Sequence, residues 1–137
     1  MPDLSTPNEV TAVPAAPSDE AFEHFARLLS YETDCCDVHT SGGADGIVVL
    51  DVRSPELFAA GHVPGAVNLP HRRIIERNIA PYPTDTTFVV YCAGPHCNGA
   101  DKAAMRLAAL GRPVKKMIGG IEGWQDEGFD LATGEGS

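Results

Sequence analysis

TFVVYCAGPHCNGADKAAMRLAALG, running from Thr87 to Gly111, decides the fold. Thr87 to Tyr91 is an unbroken β-branched and aromatic run, as expected of a strand covered on both faces. Ala100 to Leu110 puts Ala100, Ala103, Ala104, Leu107 and Ala108 on one apolar helical stripe, with Gly111 as the stop signal. Between strand and helix lie Cys92 and a glycine-containing loop of Ala93, Gly94, Pro95, His96, Cys97, Asn98 and Gly99.

Outward from that stretch the same alternation continues. Ile47 to Leu50 reads as a buried strand, and Ser54-Pro55-Glu56 opens a short helix with Ser54 as N-cap and Pro55 at its first position, closing at Gly61. Ala66 to Leu69 is a short strand stopped by Pro70. Arg72 to Asn78 is expected to be helical, until Pro81 and Pro83 break it. Val114 to Ile118 makes a further strand, Gly119-Gly120 a turn, and Ile121 to Glu127 a last helical segment. Upstream, a helix is expected from Asp19 to Ser30, capped by Ser18, with Phe22, Phe25, Ala26 and Leu29 on one face. A shorter one covers Asp34 to Thr40 and ends at Gly42-Gly43. Short apolar strands alternating with helices imply an α/β fold around a parallel sheet, in which ligands sit beyond the carboxyl ends of strands. That rule points at Cys92.

The 137 residues fit one domain, taken as 18–131, with an N-terminal tail over 1–17 rich in Pro, Ala, Thr and Ser and a C-terminal tail over 132–137. A formal net charge of -9 without any Lys/Arg-rich run argues against nucleic acid or an anionic membrane surface as a partner. No apolar stretch approaches the roughly 18 residues of a membrane span, and Met1 to Pro17 has no export-signal pattern, so the expected compartment is the cytoplasm. Thiols stay mostly reduced there, and four cysteines then read as catalytic, redox or incidental rather than as a disulfide framework.

Cys92 is the focus of the chemistry. A loop of this kind can turn its backbone N–H groups inward and present the positive end of the Ala100 helix to one point. A thiol there is expected to be favoured as thiolate, since cysteine pKa values at helix N-termini fall from about 8.5 to roughly 3.5–7.5. A persulfide on the same sulfur would also be anionic, and the same cradle would hold it. The bland alternative is a small buried apolar residue; the strand–Cys–loop–helix context favours the reactive reading.

The segments Asp51-Val52-Arg53-Ser54-Pro55-Glu56 and Gly61-His62-Val63-Pro64-Gly65-Ala66-Val67-Asn68-Leu69-Pro70 closely resemble the signature of rhodanese-like domains. Tyr91-Cys92 with its loop is similar to the family's active-site position, and Gly119-Gly120 to Trp124 with Gly128-Phe129 to its C-terminal signature. The likeness runs from about Asp34 to Leu131, with the three motifs in family order. It implies a rhodanese-like α/β fold, a small, mostly parallel central sheet flanked by helices on both faces. It also implies a sulfurtransferase that moves sulfane sulfur through a persulfide on Cys92, from a small donor to a thiol or cyanide, without metal or organic cofactor. Asp51 and Arg53 match positions that orient the active loop; His62, Pro64 and Gly65 match structural ones.

Some features depart from the family pattern. The loop is about two residues longer than usual and holds no Arg or Lys between Cys92 and Asp101, and Pro95 removes one backbone donor. Efficient use of thiosulfate is therefore not expected, and a persulfide or polysulfide donor suits the sequence better. A lengthened loop also suggests rhodanese-fold phosphatases and arsenate reductases, but those need a loop arginine, and Asn98 stands near that place. Cys97 reads equally as a resolving thiol for a Cys92 intermediate or as a small residue in the loop. His96 is a mobile cation or merely exposed, and Arg72 and Arg73 either rim the site or start a solvated helix. Cys35-Cys36 lacks the spacing of a zinc site, and Trp124 reads as a core anchor. Besides the enzyme, two classes stay open: a non-enzymatic sulfur carrier or docking module with a protein partner, and a Cys92/Cys97 thiol redox protein.

Overall fold

A computed structural model describes residues 8–135. The expected tails therefore fall partly outside the described residues, at 1–7 and 136–137. Five strands form one sheet: β1 (Glu32–Thr33), β2 (Ile47–Asp51), β3 (Val67–Asn68), β4 (Thr87–Tyr91) and β5 (Val114–Met117), in spatial order β1-β5-β4-β2-β3. Every pairing is parallel. The apolar runs at Ile47 and Thr87 become the two central neighbours, in register from Ile47 opposite Thr87 to Asp51 opposite Tyr91.

Strand pleat sorts the side chains by alternation. Val49, Val89, Tyr91 and Met117 join one apolar layer with Cys35 and Val38 of α2 (Cys35–Ser41), Phe58 of α3 (Pro55–Ala60), and Ile121 and Trp124 of α6 (Gly120–Asp126). Leu50, Phe88, Val90 and Cys92 fall on the opposite face, against Ile79 of α4 (Glu76–Ile79) and Ala100, Ala103 and Leu107 of α5 (Gly99–Ala109). Helices thus cover both faces, and Cys92 lies under α5.

Several sequence expectations shift. The Arg72–Asn78 helix divides into a 3-10 turn at His71–Arg73 and α4, because Ile74 leaves the helical path to enter the core. Ser18 is not the N-cap: α1 (Ser18–Tyr31) begins on it, after Pro17. The apolar stripe of α1 is not core either, since Phe22, Phe25 and Leu29 are exposed and no α1 residue is buried. β1, only two residues long, carries too little pattern to be read from sequence. The chain also stays attached beyond Leu131. His62 and Ala132 exchange both backbone hydrogen bonds at 2.9 Å, and the Gly134 amide donates to Ala59 O at 2.8 Å. The buried backbone at His62 needs those partners, as unpaired peptide groups away from water are costly.

Candidate active site

Cys92 stands one residue past β4, at the carboxyl end of a central strand. Two α6 amides bind the carbonyls that follow: Ile121 N–H donates to Cys92 O at 3.0 Å and Glu122 N–H to Ala93 O at 2.9 Å. With those oxygens held outward, the Ala93 and Gly99 amides face the Cys92 sulfur. Gly120 makes the approach possible. It has φ +59°, and an added Cβ would stand 2.5 Å from Cys92 O and 2.8 Å from Gly94 N. A turn from Cys97 N–H to Gly94 O, 3.1 Å, then folds the loop back.

That fold brings Cys97 to Cys92. The two thiols hydrogen-bond to each other, and the Gly99 amide also donates to Cys97 Sγ at 3.4 Å. Gly99 is the surface on which both rest: a Cβ there would lie 2.8 Å from Cys92 Sγ and 3.5 Å from Cys97 Sγ. Burial, and then the hydrogen bond that its own S–H donates to Cys97, pushes the Cys92 thiol up to about 11, against the Ala93 and Gly99 amides. Cys97 moves the other way. The Cys92 hydrogen bond pulls it below the ordinary thiol value, with help from Gly99, Ala93 and Lys102, while burial opposes. This corrects the expectation of a thiolate on Cys92. The amides converge on two sulfurs, and of the two it is the less buried one, Cys97, whose thiolate form they favour more.

Cys92 is only 8% exposed but lines two cavities. The outer one, about 490 Å³, is bounded by Cys92, Cys97, Arg53, His71, Arg72 and Lys102, among others. The inner one, about 180 Å³, lies between Cys92, Cys97, Asp101, Lys116 and the Gly119-Gly120 turn. Arg72 and Lys102 come from outside the loop, so the loop's lack of Arg and Lys does not leave the mouth without cations; the expectation against thiosulfate considered the loop alone. Arg73 is exposed and does not line the mouth. His71 was not anticipated at all. Burial, then Lys102, Arg72 and Arg106, lowers its pKa, and its Nδ1 is buried without a hydrogen-bond partner. Its only sequence signal was its place just after Pro70.

Asp51 and Arg53 form a buried pair behind the loop. Arg53 Nη2 meets Asp51 Oδ2 at 2.7 Å and Gly61 O at 2.6 Å, and Nε adds a bond to Asp51 Oδ1 at 3.0 Å. Burial works against the Arg53 charge, and the Asp51 carboxylate overrides it. Tyr91, the residue before Cys92, donates its hydroxyl to Asp51 Oδ2 at 2.6 Å and accepts the Val63 amide at 3.0 Å. The pair therefore reaches Cys92 through Tyr91. Other candidates lie elsewhere. His96 is exposed, 3.8 Å from Glu122 and on neither cavity. Asn98 lines the mouth, and Gly94 packs against Glu122. His62 is fully buried, stacked on Phe58 with ring centroids 3.6 Å apart. Cys35 is buried and Cys36 exposed beside Glu127. Among the described residues no cluster suits a metal, and no helix is long and apolar enough to cross a membrane.

A parallel α/β sheet with a thiol at the carboxyl end of its central strand, cradled by loop amides, defines a class of cysteine-centred transfer domains. Comparison with known proteins narrows it: residues 37–127 match the family model of the rhodanese-like domain, and the chain belongs to that family. It is 39% identical to the BH2092 protein of Bacillus halodurans, whose crystal structure superposes with a TM-score of 0.82 over 88% of this chain and 89% of that one. It is 36% identical over 85 residues to the thiosulfate sulfurtransferase GlpE of Pseudomonas entomophila, spanning 60% of this chain and 73% of that protein. It is also 34% identical over 91 residues to the HTH-type transcriptional regulator Rv0324 of Mycobacterium tuberculosis, of whose length the match spans 40%.

Proposed function

We propose that the protein is a sulfurtransferase carrying sulfane sulfur as a persulfide on Cys92, from an anionic donor to a thiol or cyanide, with the reduced thiols of the cytoplasm as ready acceptors. One observation carries the reading. Cys92 ends a central strand, meets the Ala93 and Gly99 amides, and opens onto a cavity rimmed by Arg72 and Lys102. The rim holds the donor by charge, and thiosulfate and polysulfides both meet that requirement. As the Cys92 sulfur attacks the donor's sulfane sulfur, its proton leaves to water through the open cavity. The donor S–S bond breaks, sulfite leaves when thiosulfate is the donor, and Cys92 holds the persulfide anion. The two amides then stabilise that charge, as they would any anion placed between them. A thiolate or cyanide attacks the outer sulfur, and the bonding pair returns to Cys92. One transfer becomes two easier ones. Asp51 and Arg53 serve as positioning residues through Tyr91.

Intact-mass measurement after incubation with thiosulfate or glutathione persulfide tests the reading. Gain of one sulfur atom, mapped to Cys92 and lost in Cys92→Ser, supports it. An unmodified Cys92 with sulfur elsewhere or nowhere overturns it.

A further inference from the structure

Cys97 has no part in sulfur transfer to an external acceptor, yet its sulfur is hydrogen-bonded to Cys92, shares the same two amides and lines both of the same cavities. We propose that Cys97 is an internal acceptor: it resolves the Cys92 persulfide, releasing hydrosulfide and leaving a Cys92–Cys97 disulfide. The inference rests on the persulfide reading given above.

The geometry favours this pair over any other. Among the four cysteines only Cys92 and Cys97 rest on a common surface, the bare Cα of Gly99, which leaves no side chain between their sulfurs. Cys35 is buried, bonded to Ile118 O at 3.6 Å and Gly120 O at 3.8 Å, and Cys36 is exposed beside Glu127. The four-residue link from Ala93 to His96 contains Gly94 and the Cys97-to-Gly94 turn, so closing a ring through the two sulfurs asks little further of the backbone. Loops this short are costly to close from an open chain, and here the closure is already made in the folded state.

The step balances without an outside reagent. After donor attack Cys92 carries –S–S⁻ and Cys97 enters as a thiol with its own proton. Cys97 sulfur attacks Cys92 Sγ, forming the Sγ–Sγ bond. The bond from Cys92 Sγ to the outer sulfur breaks, its electron pair leaves with that sulfur, and the Cys97 proton goes with it as HS⁻. The sulfane sulfur is reduced to sulfide, and the two thiols are oxidised to the disulfide. The inner cavity of about 180 Å³ beside both sulfurs exceeds the roughly 30 Å³ share of a water, so the small leaving ion has room. A further turnover then requires a dithiol reductant of the class that opens protein disulfides by exchange. The domain would thus turn sulfane sulfur into sulfide as well as pass it on.

The test is a single turnover with thiosulfate, in the absence of cyanide or added thiol, on wild type, Cys97→Ser and Cys97→Ala, each given time to load fully. Thiosulfate itself yields only sulfite at the loading step, so any sulfide comes from resolution. Wild type is expected to release sulfite and sulfide in equal amounts, with a first-order rate independent of protein concentration and a Cys92–Cys97 disulfide in the peptide map. Both Cys97 variants are expected to release sulfite alone and keep the added sulfur on Cys92. A wild-type persulfide as long-lived as that of the variants, or a sulfide rate that rises with protein concentration, overturns the inference while leaving the persulfide reading intact. Absence of both sulfite and added sulfur in all three proteins overturns the two together.

Discussion

Gly99→Ala places one methyl group where both sulfurs now rest. The backbone there is not in the left-handed region, so alanine meets no conformational penalty, and at the first residue of α5 it should be tolerated by the helix. The added Cβ would nonetheless lie 2.8 Å from Cys92 Sγ and 3.5 Å from both Cys92 Cβ and Cys97 Sγ. Ordinary contacts fall near 3.5–4.0 Å, so the Cys92 sulfur must retreat by on the order of 1 Å. Overpacking of this kind costs about 1–3 kcal/mol, while Ala over Gly in a helix returns up to roughly 1 kcal/mol. The net loss of stability is then about 0–3 kcal/mol, within what a domain of this size tolerates. Catalysis should suffer more, since a misplacement of about 1 Å can cost on the order of 100-fold in rate. Urea midpoints and the rate of persulfide formation on intact protein would separate the two effects. A folded Gly99→Ala protein that loads sulfur at the wild-type rate would refute the claim that this contact sets the sulfur's position.

Three other perturbations probe other parts of the site. Tyr91→Phe removes the hydroxyl between Asp51 and the Val63 amide, leaving a buried donor unpaired, and should cost about 1–3 kcal/mol in urea unfolding with Cys92 still able to load. Arg72→Ala and Lys102→Ala should each raise KM for thiosulfate with little change in kcat, and the wild-type KM should rise with ionic strength; a salt-independent KM would remove the rim from the argument. Burial, and then Asp34, pushes the Cys35 thiol up to about 11, above its unfolded value near 9. The folded state therefore holds that proton more tightly, and the associated stability is full below pH 9 and lost as pH rises toward 11. The loss should be of order 2 kcal/mol or less, and Cys35→Ala, weaker at neutral pH, should show a flatter decline across that window in urea titrations.

The central part of the fold was legible because its signals are local and redundant. Ile47–Leu50 and Thr87–Tyr91 are apolar enough to be central strands from composition alone, and the alanine stripe of α5 has one reading. Elements that depend on distant partners were not legible. β1 exists because Glu32 and Thr33 meet Lys116 and Met117, and Ala132 is ordered because His62 needs its backbone partner. The Phe22, Phe25 and Leu29 stripe shows the converse: a helical period marks an apolar face without saying whether anything covers it.

The same distinction explains the site. Cys92 could be found from its place in the chain, because strand end, glycine loop and helix start are all consecutive. Of the cations, Arg72 could be named only as one of two alternatives, since it reaches the mouth through the 3-10 turn that follows β3, and Lys102, brought there by the first turn of α5, was not named at all. The charge state of the pair was further still from the sequence. Amides aimed at one thiol predict a thiolate there, but amides shared by two thiols favour the thiolate less on the sulfur that water reaches least. Because Cys92 has more apolar surroundings than Cys97, burial weighs more against its thiolate than against its neighbour's. On the proposed reading the outcome of loading depends on competition for Cys92: an outside thiol must reach the outer sulfur before Cys97 reaches the inner one. Acceptor concentration, rather than any change in the site, would decide between delivering sulfur and releasing sulfide.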